Sequence, residues 1–561
     1  MTDFANKRWP KWLLLVSFAV LWFSTLGYRK LISPDEGRYA EIGREMLASG
    51  DWLTPRLNGI KYFEKPILQY WATATNFKLF GETEFAARLW PGLTGFIAVI
   101  ALYFTAKRLF RRKPDAETRA IGAATILASS LWWIGNGHFL TLDMGVSSFL
   151  AIALFAFVWA QQDDTTPHEN RNAMLVAWGA IALAIMSKGL IGLVFPGGTL
   201  LIYSLWTRDW KPWTRMHFVK GIALLLLISA PWFVMVSRAN PEFAHFFFIH
   251  EHFQRFATDQ ARRDGAWYYF VPVLIAGMLP WAALLPQIFR TGWASNNAQR
   301  FQTQRFLFVW AVLIFAFFSK SHSKLPSYIL PMFPALALLA GFVLTDLRRR
   351  SWLWLSGTML ALGVVLMVAA PFIAAKGSDK TPQIYNAAFS HWVLVGGIAI
   401  TVLAALALWS ALRRRFDLTL IALAATGLIG AQIPMLGHNE FAETNSSYHL
   451  IEAIKPQLKP GSTVYMYRYY DQTVPFYLKR PVQLVEYEDE FTLGQQQEPD
   501  KKMNDEDFLR HWHNDPAPVA ITNPDRFREL QQQGLAMQII ASDPRRIVIT
   551  RPASASTQAS N

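Results

Sequence analysis

Runs of about twenty apolar residues recur along the chain, separated by short charged loops. A run of that length crosses the hydrocarbon core of a bilayer as a helix, at about 1.5 Å of rise per residue. The first covers Trp12–Tyr28, behind Lys7, Arg8 and Lys11, with no small-residue cleavage site after it, and so predicts an uncleaved span. Twelve more lie near 88–107, 119–136, 143–160, 173–187, 189–206, 218–237, 267–289, 305–319, 326–345, 352–374, 391–411 and 417–436. The pattern predicts a mainly α, polytopic membrane protein of about thirteen transmembrane helices. Residues 1–436 form the membrane domain, with a polar juxtamembrane stretch at 29–86. Two amphipathic pieces in that stretch, Asp35–Ala48 and Tyr62–Leu79, predict helices lying along the membrane surface. From Gly437 the period shortens. β-type runs at Ser462–Tyr467, Pro518–Ile521, Met537–Ile540 and Arg546–Thr550 alternate with helix-like pieces at Ser447–Leu458, Asp505–His513 and Pro524–Gln533. Residues 437–561 therefore read as a small α/β domain with a disordered Ser/Ala-rich end.

Charge orients the spans. The segment from Gly437 has 17 acidic against 13 basic residues, whereas the first 436 carry 41 basic against 23 acidic. The surplus is not a nucleic-acid surface, because it clusters in short loops: Lys107–Lys113, Arg208–Lys220, Arg290–Arg305, Arg348–Arg350 and Arg413–Arg415. These loops all fall on the side of the N-terminus, which puts the N-terminus in the cytoplasm and residues 437–561 outside, in the periplasm of an inner (plasma) membrane. The loop Gln161–Arg171, only weakly basic, fits least well. The chain has no Cys, which excludes disulfides, thiolate metal sites and thiol nucleophiles. Neither a GxxxxGK[ST] loop nor a placed GxGxxG occurs, so no nucleotide-phosphate cradle is expected.

The candidate chemistry falls in the outward loops. Asp35 opens a predicted helix after Pro34, where it either satisfies free backbone N–H groups or presents a carboxylate at headgroup level; Arg38 follows on the same face. Asp143 sits at the mouth of a tight hairpin between spans, again a helix cap or a working carboxylate, with Lys188 in a similar position. Tyr62-Phe63-Glu64-Lys65-Pro66 sets Lys65 in an aromatic interface, as a snorkelling side chain or as a point charge for phosphate. The loop from Phe246 to Phe256 holds His250, Glu251, His252 and Arg255, spaced unlike any closed zinc pattern; Arg255 suits a phosphate clamp or headgroup anchor. Lys320, Lys324 and Tyr328 share one outward turn, against the positive-inside trend, and a ligand phosphate accounts for the two lysines. Outside the cell an activated sugar donor has to be lipid-linked, and cations beside carboxylates suit one. A transporter or flippase would place such charges at mid-membrane depth in broken helices.

The segments at 33–52 (SPDEGRYAEIGREMLASGDW), 62–71, 140–150, 248–256, 267–281 and 323–331 (SKLPSYILP) resemble the bacterial aminoarabinose transferases of lipid A. These are membrane glycosyltransferases of the GT-C class, related to protein O-mannosyltransferases. The resemblance implies transfer of 4-amino-4-deoxy-L-arabinose from undecaprenyl phosphate to a lipid A phosphate on the periplasmic face, a step of polymyxin resistance. The alternative within the class is another polyprenyl-phosphate-linked sugar moved to protein or glycan. The resemblance also implies Asp35 and Asp143 as catalytic-site carboxylates. Lys65, Arg255 and Tyr328 would hold the lipid phosphate, with Arg38 and Tyr62 nearby and Lys324 as a further cation. Glu64 and His250 would be the pair able to take a divalent metal (Zn, Mg or Mn).

Overall fold

In a computed structural model the described residues are 8–254, 265–294, 300–459 and 461–552; of 8–10 and 250–254 only the backbone is described. Each apolar run of the sequence is helical. Among the described residues eight helices are long and apolar enough to cross a membrane, and a bent pair makes up to nine. Shorter apolar helices, Lys11–Phe23 and Ile191–Thr207, fall below that length.

Two of the predicted spans are broken. The run at 267–289 becomes Phe270–Gly277 and Ala282–Trp293, bent by 110° around Pro280, which has no N–H to continue a helix. The run at 119–136 becomes Ala116–Ser129 and Leu131–Gly137. Here the hydroxyls of Ser129 and Ser130 turn back to the carbonyls of Thr125 and Ile126, each at 2.6 Å, and so compete with the helix for its own acceptors. The two breaks meet: Leu131 N–H donates to the Leu279 carbonyl at 3.0 Å, and the Trp281 indole to Ser129 Oγ at 2.9 Å. Gly427 of a third helix packs on that junction, where a Cβ would lie 2.2 Å from the Ser129 carbonyl oxygen.

The juxtamembrane layer also departs from expectation. Tyr62–Leu79 is not one helix. A two-stranded hairpin, β1 (Arg56–Leu57) and β2 (Ile60–Lys61), turns on Asn58 and Gly59, both at positive φ. The helix starts only at Leu68, beyond Pro66. Nor is helix Asp35–Ser49 a surface helix: residues Glu36–Gly37 and Tyr39–Met46 are all buried, between the helix Leu68–Phe80 and the C-terminal domain. Gly37 lies so close to that domain that a Cβ would be 2.6 Å from the Gln472 carbonyl carbon.

The C-terminal domain is a five-stranded sheet of order β4-β3-β5-β7-β6, with β3 at Val464–Tyr467, β4 at Gln483–Val485, β5 at Val519–Thr522, β6 at Gln538–Ser542 and β7 at Ile547–Thr550. Strands β4, β3 and β5 are parallel, and β7 and β6 run antiparallel. Strands β3 and β5 are buried on both faces, with side chains alternating at period two. Val464 and Met466 face the juxtamembrane layer (Leu31, Tyr39, Leu57), while Tyr465 and Tyr467 face Phe508, Trp512 and Leu530 of the domain's own helices. One side of the sheet is thus a docking face, which fixes the domain over the residues that follow the first span.

Candidate functional site

The acidic pair Asp35-Glu36 divides its labour. Glu36 is turned inward and takes two hydrogen bonds from Arg88, Nε to Oε1 at 2.7 Å and Nη2 to Oε2 at 2.8 Å, with both side chains essentially inaccessible. Arg88 spends its remaining donors on the carbonyls of Leu26, Arg29 and Lys30, the turn that leaves the first span. The same carboxylate accepts from the backbone N–H of Leu140 at 3.0 Å, three residues before Asp143. Burial by itself would raise the Glu36 carboxyl, but the charge and hydrogen bonds of Arg88 outweigh it and hold its pKa down at about 2. Glu36 and Arg88 therefore staple the start of the helix that carries Asp35 to the loop that carries Asp143.

Asp35 stays half-exposed, its side chain 50% accessible, with Oδ1 accepting from Arg38 at 2.9 Å. Pro34, not Asp35, stands at the helix cap position. Asp143 does not cap its helix either; Thr141 holds that position. Its Oδ1 is bonded to the Lys188 ammonium and its Oδ2 accepts from Ser327 Oγ at 2.8 Å. Lys188 also lies 4.9 Å from the centre of the Tyr328 ring and within electrostatic reach of Asp35. Residues from four segments distant in sequence thus converge: Asp35, Asp143, Lys188 and the Ser327-Tyr328 turn.

Behind Asp35, Arg38 Nε pairs with Glu490 of the C-terminal domain at 2.6 Å, and Gln472 donates to the same carboxylate at 2.6 Å. Burial pushes the Glu490 carboxyl up against the pull of Arg38. Tyr62 is buried beside Arg38 and Tyr39, and its hydroxyl has no hydrogen-bond partner among the described residues; burial raises its pKa, so it remains a phenol. Glu64 and Lys65 lie at the rim of this group, 3.7 Å apart, with Lys65 Nζ also donating to the Glu64 carbonyl at 2.9 Å. Phe63 anchors them by an edge contact of 5.3 Å with Phe243, just before the π-helix His245–Gln254. That packing directs the aromatic loop toward the rim, although Arg255 and the side chain of His250 lie outside the described residues. Lys324 is buried and donates to the Ser321 carbonyl at 2.7 Å, closing its own turn.

Among the described residues no group of three His, Cys, Asp or Glu is placed to hold a metal, and Glu64 has the cation of Lys65 beside it.

Local sequence does not mark Arg88 or Glu490 as participants, and it does not show Lys188 as the partner of Asp143. The Glu36–Arg88 pair was hidden because Arg88 looks like a flanking charge at the start of an apolar run. Glu490 sits in an acidic surface-like stretch of the C-terminal domain. The hairpin that sets up Tyr62–Lys65 did carry a local signal, the Asn58-Gly59 dipeptide.

Known proteins resemble the chain over most of its length. The family profile described as "Dolichyl-phosphate-mannose-protein mannosyltransferase" matches residues 11–247, and "Aminoarabinose transferase C-terminal domain" matches 450–551. The undecaprenyl phosphate-α-4-amino-4-deoxy-L-arabinose arabinosyl transferase of Pectobacterium carotovorum is 35% identical over 406 residues, 69% of this chain and 71% of the relative. Its counterpart in Edwardsiella ictaluri is 32% identical over 463 residues, 81% of each chain. The crystal structure of ArnT from Cupriavidus metallidurans bound to undecaprenyl phosphate superposes with a TM-score of 0.91 at 36% identity, covering 98% of this chain and 99% of that one. An archaeal oligosaccharyltransferase from Archaeoglobus fulgidus, 11% identical with a TM-score of 0.51 and covering 92% of this chain and 70% of its own, shares the fold. The chain is a multi-span membrane glycosyltransferase of the GT-C class that uses a polyprenyl-phosphate-linked sugar donor, and it belongs to the family of undecaprenyl phosphate-α-4-amino-4-deoxy-L-arabinose arabinosyl transferases.

Proposed function

We propose that this protein moves 4-amino-4-deoxy-L-arabinose from undecaprenyl phosphate to a phosphate of lipid A at the periplasmic face of the inner membrane, with the N-terminus cytoplasmic and residues 437–561 periplasmic. The observation that carries the reading is the convergence of Asp35, Asp143 and Lys188 at one end of the bundle, roofed by the C-terminal domain through Arg38 and Glu490. A lipid A phosphate is already anionic, so its oxygen attacks the anomeric carbon without a general base. The bond from that carbon to the undecaprenyl phosphate oxygen breaks, and the departing phosphate keeps the electron pair. Asp35, half-exposed, orients the donor and its amino group. Lys65 and Arg255 meet the charge that develops on the leaving phosphate. Asp143, held by Lys188 and Ser327, lies beside the sugar.

Mass spectrometry of lipid A from cells with and without the protein tests the reading. Deletion is expected to remove the species that is heavier by one aminopentose residue. An unchanged lipid A profile, with the sugar found on another acceptor, would favour a different transferase of the class.

Lys65→Ala and Arg255→Ala are each expected to weaken binding of a short-chain polyprenyl phosphate. The loss corresponds to about 2–5 kcal/mol if the contact is dry. Sharing one ligand, the double variant should be worse by less than the sum. Titration of wild type, both single variants and the double variant decides this. Unchanged affinity in both single variants would remove the lipid-phosphate site.

A further inference from the structure

The helices that end at the acidic site have their other ends around a polar cavity. Leu142–Gln161 runs from Asp143 at one end to Gln161 at the other, and Thr303–Lys320 starts three residues after Arg300. The cavity there has a volume of about 460 Å³ and is lined by Asp163, Thr165, Lys211, Thr214, Arg215 and Arg300. It gathers three loops, and its lining holds three cations against one carboxylate.

The weakly basic loop Gln161–Arg171 now has an explanation. Asp163 accepts from the backbone N–H of Arg300 at 3.1 Å and from its Nε at 3.4 Å, while Asp164 pairs with Arg108, Arg111 and Arg112 at 2.9, 2.6 and 3.1 Å. The two acids are clasps between neighbouring basic loops. They leave the cavity under-neutralised. Among the described residues Arg215 donates to the carbonyls of Gln161 and Gln162, at 3.3 and 3.5 Å. Burial and then the nearby charge of Arg300 lower its pKa below the ordinary guanidinium value, against the weaker pull of Asp163, whose carboxylate is bonded to Arg300. The exposed Lys211 ammonium has no hydrogen bond to a described residue. Asp209, next to the cavity, accepts the Lys211 backbone N–H at 3.1 Å. Trp210 and Trp293, 49% and 63% exposed, mark headgroup depth on this side of the bundle.

We propose that the cavity binds the phosphate of an anionic phospholipid, with Lys211, Arg215 and Arg300 as its cationic contacts. That the lipid comes from the cytoplasmic leaflet rests on the orientation proposed above; the recognition of phosphate does not.

Native mass spectrometry of the full-length protein in detergent, with dioleoyl-phosphatidylglycerol or dioleoyl-phosphatidylcholine added, tests it. The wild type is expected to retain phosphatidylglycerol in preference to phosphatidylcholine. The Arg215→Gln/Arg300→Gln variant should retain it at least ten-fold less. Lys211→Gln, at an exposed side chain that cannot unfold the bundle, should also weaken retention. Equal retention of the two lipids, or retention unchanged in both variants, would overturn the proposal. Displacement of the lipid by inorganic phosphate at equal concentration would overturn the lipid source and leave a site for a soluble anion. Transfer activity has no part in the readout, so failure here is distinguishable from failure of the proposed reaction.

Discussion

Replacing Asp35 by Asn is expected to yield a folded protein with normal thermal stability and transfer slowed roughly 10²–10⁴-fold. Stability should hold because the side chain is half-exposed and its ion pair with Arg38 is of the solvent-facing kind, worth about 0–1 kcal/mol. Arg38 also keeps its second carboxylate, Glu490. Activity should fall because Asn keeps the shape but not the charge that faces Lys188 and the donor. The measurement is turnover of an undecaprenyl-linked donor with lipid A in proteoliposomes, alongside a melting scan of the same preparation. Near-normal turnover would make Asp35 a structural residue. Asp143→Asn differs in kind. It leaves the Lys188 ammonium without its carboxylate, so its loss of activity should come with a measurable loss of stability.

The neighbouring substitution, Glu36→Gln, is expected to do the opposite and destabilise the fold by about 3–5 kcal/mol. It would strand the Arg88 guanidinium, fully buried, without a counter-charge, and would weaken the hold on the Leu140 N–H. The measurement is the melting temperature and the half-life in detergent, which should both drop. A pH series gives an independent check. The Glu36 carboxyl is held at about 2 in the folded protein, below its ordinary value of 4.5. Its stabilisation is therefore complete above about pH 4.5 and is lost as pH falls through 2. The Gln variant should lack this part of the acid response. A variant as stable as the wild type at neutral pH would overturn the staple.

These two adjacent carboxylates show where reading the chain alone stops. The period of apolar residues and the loop charges determined the class, because a bilayer imposes helix length and orientation residue by residue. The position of nearly every helical run was legible for that reason. So was the change of character near Gly437, where the runs shorten to the length of strands. Asp35, Asp143, Lys65 and the Lys324–Tyr328 turn were marked as candidates because charge beside an apolar run is costly. Which acid of the pair Asp35-Glu36 is stapled inward was not legible, since both are carboxylates at a helix start and only Arg88, 52 residues away, tells them apart. Lys188 and Asp143 became partners only when two helices were packed side by side. Lys324, a phosphate candidate on its loop, proved to have its ammonium turned into the turn itself. Docking of the C-terminal domain onto the stretch after the first span helped bury a helix whose own pattern suited a surface, and it delivered Glu490 to Arg38 from 452 residues away. Local sequence encodes what the solvent and the membrane demand of each segment. Pairings between distant segments depend on which buried charges and apolar faces meet, and only the tertiary structure decides that.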